Sequence, residues 1–311
     1  MDNCPTDVIC EIIKYNNTKN FLNLCLCDKQ YNILYYNDDI WKYLCTRDYI
    51  EMIKNLSNSY LDLYKLCREL VKFKKFIKDK RFPEIKDLFL TNSIDCVNTN
   101  ISKNDQITPN IPAFPNLYKL GISLNKIRHI PSIICNTINL KVLDLSDNYI
   151  ENLNPEITKL INLEILNLSK NQLKNIPCEI FKLTNLKDLN LSQPQVRLIP
   201  KDISNLSNLM KLDLSNNLIK TKYLNIYHLI NLTHINFANN QISIIPTDLK
   251  KLTNLENINF ARNKLNIVPI SLIYLTKIQY VDLSNNDFKS TFIPSNMNHI
   301  NIDISRSYRY Y

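Results

Sequence analysis

Cysteine, histidine and glycine are the residues whose placement would most directly give this chain a reaction to perform. It has nine cysteines in 311 residues, and seven fall early: Cys4, Cys10, Cys25, Cys27, Cys45, Cys67 and Cys96. A zinc site needs thiolates and imidazoles at close spacing. Here there is no CxxC pair, and His129, His228, His234 and His299 all lie outside the cysteine-rich region, so neither a metal nor a cofactor is expected. The odd count, and a start at Met1-Asp2-Asn3-Cys4-Pro5 without a basic-then-apolar leader, suggest free thiols in a reducing cytoplasm. The Asn-Leu-Ser triplets at Asn167 and Asn190 are then accidents of an asparagine-rich chain. Gly121 is the single glycine, which removes phosphate-cradling loops, dinucleotide folds and nucleophile elbows, because each needs several residues without a Cβ. The histidines have no acid and nucleophile beside them in sequence; no catalytic residue is expected, and His234 reads as a surface contact. One polar type is regularly spaced. Asn125, Asn148, Asn171, Asn217, Asn240, Asn263 and Asn286 recur at multiples of 23 residues. An amide both donates and accepts, so a stack of them can satisfy buried turn backbone, a structural role.

The element that sets this spacing is an apolar repeat. Leu117, Leu140, Leu163, Leu186, Leu209, Leu232, Leu255 and Ile278 stand 23 residues apart without insertion or deletion. Each unit reads L-x-x-L-x-L-x-x-N-x-L-x-x-I-P, as in Leu163, Leu166, Leu168, Asn171, Leu173, Ile176 and Pro177, and continues through Ile180 and Leu183. The alternating x-L-x-L-x segment predicts a short strand with one buried face, and stacked units predict a parallel sheet roughly 35 to 40 Å long at about 4.8 Å per strand. From about residue 115 to 304 this pattern resembles the leucine-rich repeat family. The resemblance implies an α/β solenoid: a right-handed superhelix with a parallel concave sheet, preceded by an all-α N-terminal domain. The expected division is 1–48, a helical module; 49–93, a helical linker; 94–114, a worn N-terminal cap repeat; 115–299, eight repeats; and 300–311, a cap strand and tail.

Two departures predict local irregularity without a break. Pro194 takes the asparagine position of the fourth unit, and Lys222-Tyr223 replaces the apolar-Pro pair of the fifth. Solenoid ends need caps. Ile94, Val97 and Ile107 suggest a worn unit one period before Leu117, and Ile300-Asn301-Ile302-Asp303-Ile304 one more strand shifted by two residues. The tail Arg306 to Tyr311 reads as cap packing or disorder.

Residues 4 to 48 lack the period and read as short helices, with Val8, Ile9, Ile12 and Ile13 on one face after Pro5. Pro5 and Asp7, then Cys27-Asp28-Lys29-Gln30-Tyr31-Asn32-Ile33-Leu34, then Ile40-Trp41 resemble an F-box, although Cys4, Asp28 and Tyr31 depart from its usual residues. The resemblance implies a Skp1-type adaptor as partner, met by Pro5, Val8, Ile9 and Ile12 with Leu22 and Leu26 behind or beside them. Joined to the repeats, it implies a substrate receptor of a Skp1-cullin-F-box type ubiquitin ligase. The alternative is a repeat scaffold whose N-terminus serves only as a helical cap. Between the modules, Ile53, Leu56, Tyr60, Leu63, Tyr64, Cys67, Leu70 and Val71 keep helical spacing, and the basic run from Lys72 to Arg81 reads as a solvated face.

Charge and apolar run length each argue against one partner class. The net charge is +9, yet the outward positions of the strands and following turns hold as many acidic as basic residues, so the concave face is neutral and no nucleic acid is expected there. No apolar run reaches the roughly eighteen residues a bilayer span needs, so no membrane partner is expected either. The variable third position carries Lys119, Val142, Ile165, Asp188, Lys211, His234, Asn257 and Tyr280, and with Tyr118 and Tyr149 it forms a mixed surface suited to a protein or peptide client. Forty-six asparagines beside three alanines indicate an AT-rich genome, as in giant amoebal viruses and AT-rich protists; the location would then be the host cytoplasm if viral.

Overall fold

The computed structural model describes residues 93–95, 117–193, 195–221, 224–289, 293, 297 and 300–305. Ten three-residue strands form one parallel sheet in strict chain order. They are β1 (Ser93–Asp95), β2 (Lys119–Gly121), β3 (Val142–Asp144), β4 (Ile165–Asn167), β5 (Asp188–Asn190), β6 (Lys211–Asp213), β7 (His234–Asn236), β8 (Asn257–Asn259), β9 (Tyr280–Asp282) and β10 (Asn301–Asp303). The ladder is shorter than the five-residue alternation predicts because only positions three to five of each unit pair as strand; the sixth residue still bonds across, as Leu145 N–H does to Asn167 O at 2.8 Å.

From β2 to β9 every pairing joins residues one period apart, for example Leu143 to Leu166. From β3 to β9 the middle residue of each strand points inward and is buried, while its neighbours are half-buried or exposed. Leu163, Leu166, Leu168, Leu173, Ile176, Ile180 and Leu183 are all buried, and one continuous core runs from Leu117 to Ile300. Phe237 and Phe260 replace leucine at the sixth position of consecutive units and stack with ring centroids 5.3 Å apart.

Opposite the sheet, most units turn through a short 3₁₀ helix: Pro155–Lys159, Cys178–Lys182, Lys201–Asn205, Thr247–Lys251 and Ile270–Tyr274. Four of these follow a proline, Pro177, Pro200, Pro246 or Pro269, whose ring sets the φ needed to enter the turn. The eighth position of every unit has left-handed backbone, φ 52 to 68° at Leu124, Asp147, Lys170, Gln193, Asn216, Asn239, Arg262 and Asn285. No glycine serves this turn. Cys135 and Cys178 are free thiols. Burial, with the negative charge of Glu156 adding, pushes the Cys135 thiol up to about 12 against the opposing charge of Lys159, so it stays protonated.

The two ends differ in their fit to the expected caps. At the C-terminus Ile302 pairs with Val281, the predicted two-residue shortening. At the N-terminus Ile94 lies beside Leu120, not one period before Leu117: the first step is three residues longer, and the strand starts at Ser93. Pro194, Lys222 and Tyr223 lie outside the described residues, but the sheet passes both places in unchanged register, and an isolated bridge joins Lys220 to Gln241. The F-box-like segment, with Pro5, Val8, Ile9, Ile12, Leu22 and Leu26, also lies outside them, as do the linker helices and the tail. Among the described residues, no helix is long and apolar enough to cross a membrane.

Candidate functional site on the open sheet face

Two asparagine ladders hold this face in place. In the inner one, Asn171 donates to the carbonyls of Leu145, Leu168 and Ser169 at 2.9 to 3.2 Å, and its Oδ1 accepts from Ile150 N–H at 3.0 Å. The same four bonds recur at Asn148, Asn217, Asn240, Asn263 and Asn286. Asn125 donates to Ile122 and Ser123 carbonyls within its own unit. Each rung from Asn148 to Asn286 thus ties a unit to the one before. The second ladder is absent from the sequence reading. Asn162, Asn185, Asn208, Asn231 and Asn254, each just before a leading leucine, donate to the carbonyl 24 residues earlier at 2.7 to 3.0 Å, in solvent. The inner rungs are buried and make four bonds each, the outer ones lie in solvent and show one.

A third row shapes the strand exits. The fifth-position side chains of Asp144, Asn167, Asn190, Asp213, Asn236, Asn259 and Asp282 accept from the backbone N–H two residues on, at 2.8 to 3.1 Å. Asp and Asn interchange here because only an acceptor is required.

On this frame the pairing sets Lys119, Val142, Ile165, Asp188, Lys211, His234, Asn257 and Tyr280 side by side in one outward row. Tyr118 is exposed at the position before β2. Tyr149 is exposed too, but it sits past the ladder at the turn edge, where its N–H donates to Ile127 O at 2.9 Å; it is not part of the row.

Charge is distributed unevenly along the row. In the first half Glu164 is held between Lys187 at 2.7 Å and Lys141 at 3.0 Å, and those bonds, Lys187's the larger, keep its carboxyl below the usual carboxylate range. Lys170 pairs with Asp147 at 3.0 Å in the adjoining turn. In the second half the Asp188 carboxyl makes no hydrogen bond or ion pair among the described residues; partial burial, and then the charge of Asp213, push it up against the opposing pull of Lys211 and, less, His234. Asp213 accepts from the Asn236 amide at 3.0 Å.

His234 is bound at both nitrogens. The Thr233 hydroxyl donates to Met210 O at 3.0 Å, so at its 2.9 Å contact with His234 the ring Nδ1 is the donor. The Asn257 amide donates to Nε2 at 3.0 Å. Both ring nitrogens are thus engaged by neutral groups, and among the described residues no carboxylate or thiol contacts the ring. Around it, Asp188, Lys211, Asp213, His234, Asn257 and Tyr280 line a shallow depression of about 390 Å³. A second depression, at the turn edge beside Glu151, Lys174, exposed Cys178 and Glu179, was not marked by any sequence pattern. Among the described residues, no three His, Cys, Asp or Glu side chains gather in a way that could hold a metal.

Comparison with known proteins agrees with this geometry. Residues 96–222 match the family model described as a leucine-rich repeat region, and residues 231–252 match a leucine-rich repeat model. No curated protein matches. A leucine-rich repeat protein of Leptospira interrogans is 23% identical, with 71% of this chain and 68% of that one covered, at a TM-score of 0.55. Internalin C2 of Listeria monocytogenes is also 23% identical, with 78% and 92% covered and a TM-score of 0.54. The leucine-rich repeat ectodomain of the Arabidopsis thaliana membrane receptor kinase GASSHO1/SCHENGEN3, solved in complex with Casparian strip integrity factor 2, is 25% identical, with 61% of this chain and 24% of that one covered and a TM-score of 0.53.

Proposed function

We propose that this chain, a leucine-rich repeat protein, is a non-enzymatic interaction scaffold whose open sheet face holds a polypeptide client. The observation that carries this reading is the single row from Lys119 to Tyr280: eight outward side chains of mixed polar, apolar and aromatic type, fixed in register by a core and two ladders that they do not themselves supply. A surface of this kind binds by complementarity and not by turnover. The plant receptor ectodomain solved with a bound factor supports the same use of the fold.

Within that reading, residues 1–48 dock a Skp1-type adaptor, and the protein serves as a substrate receptor of a Skp1-cullin-F-box type ubiquitin ligase in the cytoplasm. What supports this is the pattern from Pro5 and Asp7 through Cys27 to Leu34 and on to Ile40-Trp41. The test is calorimetric titration of the full chain with a purified Skp1-type subunit. Micromolar binding is expected, lost in Val8→Asp or Ile9→Asp with the circular dichroism spectrum and melting of the repeats unchanged. Absence of binding by the well-folded chain removes the ligase role and leaves the plain scaffold. Unfolding of the repeats by the same substitutions would make the N-terminus a cap.

A further inference from the structure

We propose that the second half of the sheet face, from Asp188 to Asp303, is the part that receives the client, and that it takes an extended polypeptide segment rich in arginine or lysine. This rests on the client-binding reading above and names the chemistry of the partner.

Totalling the face as a whole conceals a polarity that strand order makes visible. Among the strand residues and the position just before each strand, β2 to β4 and Lys187 bring Lys119, Lys141 and Lys187 against Asp144 and Glu164, one positive charge in balance. From Asp188 onward the same positions bring Asp188, Asp213, Glu256, Asp282 and Asp303 against Lys211 alone, four negative charges in balance. The chain as a whole carries +9, so this stretch is opposite in sign to the molecule around it. Screening confines each field to about 8 Å at physiological salt, so a segment lying on these strands meets the local charge and not the average.

Individual groups fit the same partner. The Asp188 carboxyl is half-buried and makes no hydrogen bond or ion pair among the described residues, and a guanidinium or ammonium would give it the direct contact that Lys211, acting only at a distance, does not. Tyr280, at the other end of the depression, presents an exposed ring to a cation or its aliphatic stem. Asn257 spends its amide N–H₂ on His234, leaving a carbonyl oxygen to accept a main-chain N–H. The acidic groups span β5 to β10; at about 4.8 Å per strand this is roughly 24 Å, or about seven residues of extended chain. A nucleic acid would be repelled along this track.

The test is fluorescence anisotropy of the full chain at about 0.15 M salt with three labelled peptides of about eight residues: arginine alternating with serine, glutamate alternating with serine, and tyrosine alternating with serine. The arginine peptide is expected to bind and the glutamate peptide not to. The combined variant Asp188→Asn, Asp213→Asn and Asp282→Asn should weaken arginine-peptide binding at least about tenfold, and Lys141→Gln with Lys187→Gln should change it by less than about twofold. Asparagine is tolerated at the fifth position because Asn167, Asn190, Asn236 and Asn259 already make the same bond there. Equal binding of the arginine peptide by the triple variant and the parent overturns the proposal. If the tyrosine peptide binds better, and Ile165→Arg blocks it, the cationic assignment falls while the client-binding reading stands; if no peptide binds, both fall. Self-association of the parent chain in sedimentation, abolished by the triple variant, would assign the surface to a second copy and also overturn the proposal.

Discussion

The first and second halves of the sheet share a backbone and a core but differ in what their surfaces leave available. Between β3 and β5 the charges are spent on one another, Glu164 between two lysines and Asp147 on Lys170. Between β5 and β9 the side chains of Asp188, Glu256 and Tyr280 make no hydrogen bond or ion pair among the described residues, and His234 is tied by neutral donors and acceptors. The inner ladder divides at the same place. Its rungs run to Asn171, are interrupted at Pro194, and resume from Asn217 to Asn286. On this repeated scaffold, the groups that neighbouring repeats fail to satisfy are the ones the proposed client would meet.

The comparison breaks most visibly if a rung is removed. Asn240→Ala in the second half, or Asn171→Ala in the first, strands buried backbone groups that four bonds now serve. Either should lower the unfolding free energy by about 3 kcal/mol in urea titration, whereas Asn208→Ala on the exposed ladder should cost under about 0.5 kcal/mol. Joining the halves is the next largest effect. Pro194→Asn places an amide where Leu168, Leu191 and Ser192 carbonyls each have one donor already, from Asn171, Asn217 and Lys170. It should raise stability by about 1 kcal/mol.

A smaller effect separates the paired half by pH. The Glu164 carboxyl lies below its ordinary value in the folded chain, so its contribution is present at neutral pH and is lost as pH falls through that lowered value. Glu164→Gln should therefore melt slightly below the parent at pH 7, less so in high salt, and level with it in acid. Smallest of all is Arg262→Gly at a left-handed turn position, where relief of the positive φ nearly cancels glycine's entropy. An increase of about 0.5 kcal/mol is expected by thermal unfolding.

Much of this was legible in the sequence because one constraint, a buried leucine every unit, was repeated until no other register fitted. That constraint yields the strand order, the outward row and the inner asparagine ladder, since each is tied to the same offset. The C-terminal shift at Ile302 was legible too, because alternation survives there. The three extra residues before Leu120 were hidden because Ile94 satisfies an apolar position at either offset. The left-handed eighth position left only a partial signal: Asp147, Asn216, Asn239 and Asn285 suit it, but Leu124, Lys170, Gln193 and Arg262 are held in it too. Asn162 and its counterparts do not stand out among so many asparagines, and the polarity from Asp188 to Asp303 averages out over the face as a whole.

The constant 23-residue register also dictates how the molecule would yield to tension. Each unit leans only on its neighbours, so pulled from the C-terminal end the chain would peel in increments, every one releasing about 80 Å of extended polypeptide. The seam at Pro194, bonded on each side but not bridged by an amide, is where such a staircase should show its weakest tread.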